Sequence, residues 1–370
     1  MKKTRGIYIH VPFCTGKCYY CDFYSVKAAP DVIQNYISAL KTEIAAASEF
    51  NEKKKTDTLY FGGGTPSLLS AKDIGSVIET VYKFHDFSPL EVTLEGNPDP
   101  NLDFNALKTA GINRISFGVQ SFDDKVLKAA GRRHTAAEAQ TAIERARKVF
   151  DNISLDIMLG LPKDTVDGAV RSASIAAEYA DHVSMYMLKL EEGTPLYNSV
   201  RSGSVSVADE DETVDAYDAC MKVLESHGLF RYEVSNFAKK GYESVHNLKY
   251  WDRSEYFGFG AAAHGFIAGS RYFNPYSVKD YIDGKNYGAR KVPTEFINKK
   301  EAAAEAVILA LRKSEGLYIP DFNSEFSCDF TNEYASAIKE SSAVAEIKGD
   351  YFKMKKDKLL FESAVARLFI

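Results

Sequence analysis

Two rhythms of apolar spacing alternate through the first 230 residues of the chain. Short runs rich in β-branched and aromatic residues predict strands at 6–11, 57–63, 91–96, 113–119, 153–159 and 182–188. Between them, apolar residues at helical spacing predict helices at roughly 31–49, 70–84, 101–110, 123–130, 135–150, 166–180 and 208–227. Start and stop signals sharpen the edges. Ser70 precedes the second helix, Thr135 with Glu138 spells a capping box, and Asp209 or Asp211 opens the last. Gly111 and Gly228 stand where a helix C-terminus favours glycine.

Strand–helix alternation of this kind implies right-handed crossovers and a parallel sheet. Six such units predict an α/β fold built as a partial (β/α)6 barrel, with working residues at the C-terminal strand ends. The unusual residues follow that rule. A glycine run follows the second strand, Glu95 ends the third, Gln120 follows the fourth, and Asp156 lies in the fifth with Gly-Leu-Pro after it. Beyond residue 230 the rhythm weakens into an aromatic and glycine-rich stretch. A helix is then expected at 300–316, and the tail reads as a β-ribbon and a last helix. The expected division is 1–230 for the barrel, 231–299 for an extension, and 300–370 for a small α+β domain that guards the barrel mouth or meets a partner.

Composition narrows the partners. Of 370 residues, 45% are hydrophobic and 26% charged, which suits a globular chain with a sizeable core. A net charge of -5 gives no electrostatic reason to expect nucleic acid. No apolar run approaches the ~20 residues that span a bilayer. The start, "MKKTRGIYIHVPFC", is basic, but its apolar part is too short for a signal segment. A cytoplasmic protein is expected; peripheral membrane contact and homodimerisation stay open.

Three of the five cysteines, Cys14, Cys18 and Cys21, crowd into eight positions as Cys-x3-Cys-x2-Cys. In a reducing compartment such a cluster points to metal binding. Thiolates suit iron–sulfur clusters, zinc or copper(I), and three ligands leave a coordination position open. His10 supplies a fourth donor in the alternative of a closed Cys3His zinc site. Cys220 and Cys328 are isolated and take no role. "FGGGTPSLL" at 61–69 is not a P-loop, since no Gly-Lys-Ser/Thr follows. It is either a tight turn or a loop whose free N–H groups meet an anionic group.

With Tyr20 just before its third cysteine, the cluster resembles the signature of the radical S-adenosylmethionine (SAM) superfamily. That resemblance implies a 4Fe–4S cluster on Cys14, Cys18 and Cys21, with SAM chelating the fourth iron. It also implies SAM contacts from Tyr8, Tyr20, Gly63, Gly64, Thr65, Glu95, Gln120, Arg132 and Asp156. Read without it, these are a turn, a sheet-end carboxylate, a solvated arginine and a capping aspartate.

"YIHVPFC", "GGGTPS", "FGVQSF", "GLPKDT" and "YEVSNFA" narrow the resemblance to the group holding oxygen-independent coproporphyrinogen III oxidases and HemW-type haem chaperones. Phe23 stands where the oxidases carry a further cysteine, and only 13 residues precede Cys14 where the oxidases carry an extension. "HNLKYW" at 246–251 resembles the HNxxYW pattern of the chaperones. The chaperone side implies a protein that binds haem, with His246 as an iron ligand, and passes it to an apo-haemoprotein. Tyr250 and Trp251 are expected to stack on the macrocycle; read without the motif, His246 is a hydrogen-bonded loop histidine, and His264 is a weaker haem candidate for which a structural role is the preferred reading. The oxidase side implies SAM-dependent oxidative decarboxylation of coproporphyrinogen III to protoporphyrinogen.

Overall fold

Alternate side chains of a strand face opposite ways, and this chain uses the alternation to separate apolar from polar residues. In β1 (Arg5–Val11), Ile7, Ile9 and Val11 enter the main core while Tyr8 and His10 take the other face. In β4 (Arg114–Gln120) the core residues are Ile115, Phe117 and Val119, and in β5 (Ile153–Leu159) Leu155, Ile157 and Leu159. Their alternates are Arg114, Ser116 and Gly118, then Ser154, Asp156 and Met158. The apolar face packs beneath the crossover helices, so polar residues line the concave side. The computed structural model describes residues 4–50, 54–285 and 295–370.

With β2 (Thr56–Gly63), β3 (Phe87–Gly96) and β6 (His182–Met187), these strands pair in parallel in the order β1 to β6. The crossovers carry α1 (Pro30–Ala47), α2 (Ala71–Phe84), α3 (Phe104–Thr109), α4 (Asp124–Ala129), α5 (Ala136–Arg147) and α6 (Val166–Tyr179); α7 (Pro195–Arg201) and α8 (Glu210–Ser226) follow. The expected partial barrel is therefore the heart of the molecule. Ser70 caps α2, and Thr135 with Glu138 forms the capping box of α5. At α8, Asp209 rather than Asp211 is the cap, because Glu212 reaches back to its backbone. The third helix starts at Phe104, not 101, since Asp103 accepts the N–H of Ala106 and begins the turn.

The sheet grows beyond the parallel core at both edges. On the β6 side lie β7 (Phe230–Arg231) and β8 (Asn236–Ala238), both antiparallel. After α9 (Val245–Trp251), β9 (Tyr256–Phe259) adds in parallel beside β1. Then β10 (His264–Ile267), β11 (Ser270–Phe273) and β12 (Glu295–Phe296) extend it antiparallel, with α10 (Val278–Ile282) between the last two. The result is a twelve-stranded, unclosed sheet running from β12 to β7. The 231–299 stretch is thus part of the main sheet; its residues 286–294 lie outside the described residues. Its strands of two to four residues are too short to show a period in the sequence.

A second apolar cluster holds the C-terminal part, built on α11 (Lys299–Leu311) and the three-stranded sheet of β13 (Leu317–Tyr318), β14 (Ala345–Lys348) and β15 (Tyr351–Met354). The helix expected to reach 316 stops at Leu311 because tertiary pairing takes the backbone: Lys313 bridges Glu233, and Ser314 N–H donates to Tyr232 O. This part packs on α9, where the Arg312 guanidinium lies 4.6 Å from the Trp251 ring centroid and Lys313 pairs with Asp252. Among the described residues, none of this part lines the cavity described below.

One buried carboxylate ties three elements together. Glu43 of α1 accepts from Gly260 N–H (3.0 Å), Asn274 Nδ2 (2.7 Å) and the Tyr281 hydroxyl (2.5 Å). Burial pushes its carboxyl up to about 7, against those three donors. Because the folded value lies above the unfolded one, Glu43 favours the fold fully below about pH 4.5, and that contribution is lost as pH rises through about 7. Thermal unfolding of the apo-protein between pH 5 and 8 is expected to show it. The difference between wild type and Glu43→Gln should drift with pH in that window; a constant difference would contradict an ionisable Glu43.

Candidate cofactor site

The loop after β1 carries the three cysteines, and backbone bonds pin both its ends. Cys14 N–H donates to Val26 O and Val26 N–H to Pro12 O. The tip is held from the far side of the barrel by Tyr19 N–H to Ala130 O and Leu196 N–H to Tyr19 O. All three thiols are free and half-buried. Thr65 Oγ1 donates to Cys14 Sγ at 3.4 Å, and Arg132 Nη1 to Cys18 Sγ at 3.3 Å. These two donors fix the positions of the Cys14 and Cys18 sulfurs, while burial pushes the Cys21 thiol up.

Above the C-terminal strand ends lies a cavity of about 650 Å³. The three cysteines line it together with Tyr20, Gly63, Gly64 and Thr65. So do Glu95, Gln120, Arg132 and Asp156, contributed by three strands and the segment after α4. Residues far apart in sequence thus share one wall because the strands and the segments that follow them converge on one side of the sheet. Tyr8 is the exception. It lies behind the cavity, with its hydroxyl 3.0 Å from His10 Nδ1 and its ring stacked on Tyr60. Phe23 lines the cavity and is 65% exposed.

The glycine loop works by close approach. A Cβ on Gly64 would stand 2.6 Å from Phe13 O, and one on Gly63 would strike the His10 ring. Its N–H groups are not free, contrary to the anion-loop expectation. Gly63 N–H donates to Glu95 Oε2, Gly64 N–H to Val11 O and Thr65 N–H to Phe13 O. These bonds dock the glycine loop against the cysteine loop.

Two half-buried carboxylates stand in the floor. Glu95 accepts from the Tyr60 hydroxyl at 2.7 Å, and burial, helped by the nearby Asp156, pushes it up to about 7. Burial likewise lifts Asp156 to about 6, against the Ser184 hydrogen bond and the Arg114 charge. Arg132 donates to Asn97 Oδ1 at 2.9 Å and to Gly118 O. Tyr60, Asn97, Arg114, Ser116 and Tyr186 were not singled out from the sequence. The polar alternation along β2, β4 and β6 is the signal that points to four of them; Asn97 sits in the loop after β3.

Two polar atoms in the wall are buried without a protein partner: Gln120 Oε1, on a strained backbone at φ 72°, and Arg132 Nε. An acceptor and a cationic donor left open suit a ligand carrying an ammonium and a carboxylate, which is the methionyl end of SAM. The closed zinc alternative fits less well. Both His10 nitrogens have partners, the Tyr8 hydroxyl and Tyr24 O.

His246 is not at this site. It is 1% exposed, and its ring nitrogens stand 2.8 Å from Thr58 Oγ1 and 2.9 Å from the Tyr250 hydroxyl, with Tyr60 stacked on it. It packs near the opposite, N-terminal ends of β1 and β2, where Gly6 and Thr58 meet it. In this structure the His246 imidazole is a buried core contact with both ring nitrogens in hydrogen bonds, which does not favour the reading of it as a haem ligand. One face of Trp251 is covered by the Arg312 guanidinium.

Residues 8–174 match the model of the radical SAM superfamily. The chain is 36% identical to the heme chaperone HemW of Lactococcus lactis over 92% of this chain and 90% of the relative. It is 37% identical to the heme chaperone HemW of Bacillus subtilis, over 91% and 90%. It is 31% identical to the mitochondrial radical S-adenosyl methionine domain-containing protein 1 of Danio rerio, over 95% and 82%. Among solved structures it is similar to the coproporphyrinogen III oxidase HemN of Escherichia coli, at 19% identity with a TM-score of 0.83, covering 99% of this chain and 90% of that one. Near-complete coverage of the relatives, on a fold shared with HemN and with the cysteine loop in place, means that the chain belongs to the HemW family of radical SAM proteins.

Proposed function

We propose that this protein is a haem chaperone: it binds a 4Fe–4S cluster, SAM and haem, and hands haem to an apo-haemoprotein. The observation that carries the reading is the identity with heme chaperones over nine-tenths of the chain. In it, Cys14, Cys18 and Cys21 hold the cluster. Gln120 Oε1 and Arg132 take the amino and carboxylate ends of SAM, and Glu95 and Asp156 face its polar remainder. Tyr20, Gly63, Gly64 and Thr65 shape the wall, and Tyr8 supports it from behind through His10. When bound, the cluster and SAM supply one-electron chemistry that no side chain of this chain provides. The residues orient the two groups, and the Tyr60 hydroxyl holds the Glu95 carboxylate in place.

No helix among the described residues is long and apolar enough to cross a membrane, which is compatible with a cytoplasmic site of action. The test is a haem titration of anaerobically reconstituted protein, followed at the Soret band with iron and sulfide measured in the same sample. Saturation near one haem per chain is expected. An intact cluster without saturable haem binding would overturn the chaperone reading and make anaerobic protoporphyrinogen formation from coproporphyrinogen III the next assay.

A further inference from the structure

Of the seven histidines, six have a ring nitrogen in a hydrogen bond. They are His10, His85, His134, His182, His227 and His246. Among the described residues His264 has none, and it is exposed. It opens β10 and looks across the strand pair at Phe273, with ring centroids 5.6 Å apart. Phe273 continues to Tyr276 at 6.5 Å, and Tyr276 to Tyr24 at 6.0 Å. Phe273 and Tyr276 are 39% and 55% exposed. Three exposed rings, beginning with an imidazole, therefore run in a row that ends on the half-buried Tyr24. Tyr24, at the far end, is three residues past Cys21, and its carbonyl meets His10.

The platform is built from beneath. The loop joining β9 to β10 turns through Gly260 at φ 101° and Ala262 at φ 63°, a conformation alanine rarely takes. Ala262 N–H donates to Pro275 O and Asn274 N–H to Ala263 O, each at 2.9 Å, locking the His264 strand to the segment that carries Tyr276. The Glu43 carboxylate anchors the same loop through Gly260 and Asn274. Val278 N–H donates to the Tyr24 hydroxyl, fixing the last ring. Such an effort spent on an exposed apolar row marks a binding surface rather than a core.

We propose that His264 is the protein ligand of haem iron and that Phe273 and Tyr276 form the apolar bed for the macrocycle. This rests on the chaperone reading and deepens it. A neutral imidazole is the common proximal ligand of haem iron. Partial burial holds His264 below the ordinary histidine value, so it is neutral at pH 7. Aromatic side chains beside it give a flat apolar ligand edge and face contacts at low entropic cost. The row lies outside the SAM cavity yet adjoins the cysteine loop through Tyr24, so both groups can be bound at once.

The test compares wild type, His264→Ala, Phe273→Ala and His246→Ala, all reconstituted with cluster, using haem and metal-free protoporphyrin as probes. His264→Ala should lose the histidine-ligated Soret and magnetic circular dichroism signature and bind haem at least tenfold more weakly. Its affinity for metal-free protoporphyrin should be unchanged, and added imidazole should restore the spectrum. Phe273→Ala should weaken both probes and leave the haem spectrum alone. If His264→Ala keeps wild-type spectrum and affinity, the assignment is overturned while the chaperone reading stands. The assignment is likewise overturned if folded His246→Ala, with its cluster intact, alone loses the signature. If wild type itself binds no haem saturably, the chaperone reading fails, and this assignment with it.

Discussion

A triple variant, Cys14→Ala, Cys18→Ala and Cys21→Ala, is expected to take up no iron or sulfide on anaerobic reconstitution, where wild type fills. The loss should be complete because all three thiols lie on one loop and line one cavity, and the remaining cysteines, Cys220 in α8 and Cys328, are elsewhere in the molecule. The fold should hardly notice. None of the three belongs to an apolar core cluster, and the bonds pinning the loop are made by backbone atoms that alanine keeps. Substitutions of this kind move stability by about 0.5 kcal/mol. Denaturant unfolding of the apo-proteins should therefore give superimposable midpoints. Full iron and sulfide in the variant would show that the ligands lie elsewhere.

Glu91→Ala is expected to be the most damaging single change far from the cavity, costing about 3 kcal/mol. Glu91 is 4% exposed at the start of the core run of β3, and its carboxylate caps α9. It accepts from Val245 N–H at 2.8 Å, His246 N–H at 3.2 Å and Ser244 Oγ at 3.3 Å. Helix N–H groups have no partner within their own first turn, and a carboxylate there also meets the favourable end of the helix dipole. Alanine leaves these buried donors unpaired. The damage should spread, because α9 carries His246 against Thr58 and sets Trp251 under Arg312. Denaturant unfolding of the apo-protein measures it. Glu91→Gln, which keeps an acceptor oxygen, should lose clearly less. A cost below about 1 kcal/mol for alanine would mean that α9 is held by its packing instead.

How the chain divides its information follows from these elements. The parallel core was readable because each unit repeats a local rule. A short apolar run buries one face, a capped helix covers it, and Ser70, Thr135 and Gly111 mark the ends with side chains or φ values that only certain residues supply. Cys14, Cys18 and Cys21 were readable for the same reason: their geometry is set by one loop. The alternation of Ile115, Phe117 and Val119 with Arg114, Ser116 and Gly118 was also present, though its meaning depends on which face the helices cover.

Other features belong to the tertiary structure because they are made by partners distant in sequence. The edge strands β9 to β12 are too short to have a period; pairing with β1, some 250 residues away, defines them. That pairing, with Glu43 below, presents His264 on the surface. The reading of His246 as a ligand rests on the resemblance of "HNLKYW" to the HNxxYW pattern. The burial of His246 between Thr58, Tyr60 and Tyr250 is a fact of packing that no spacing within "HNLKYW" encodes. Motifs report the residue types present; whether a nitrogen is spent or free depends on which distant groups the fold brings to it.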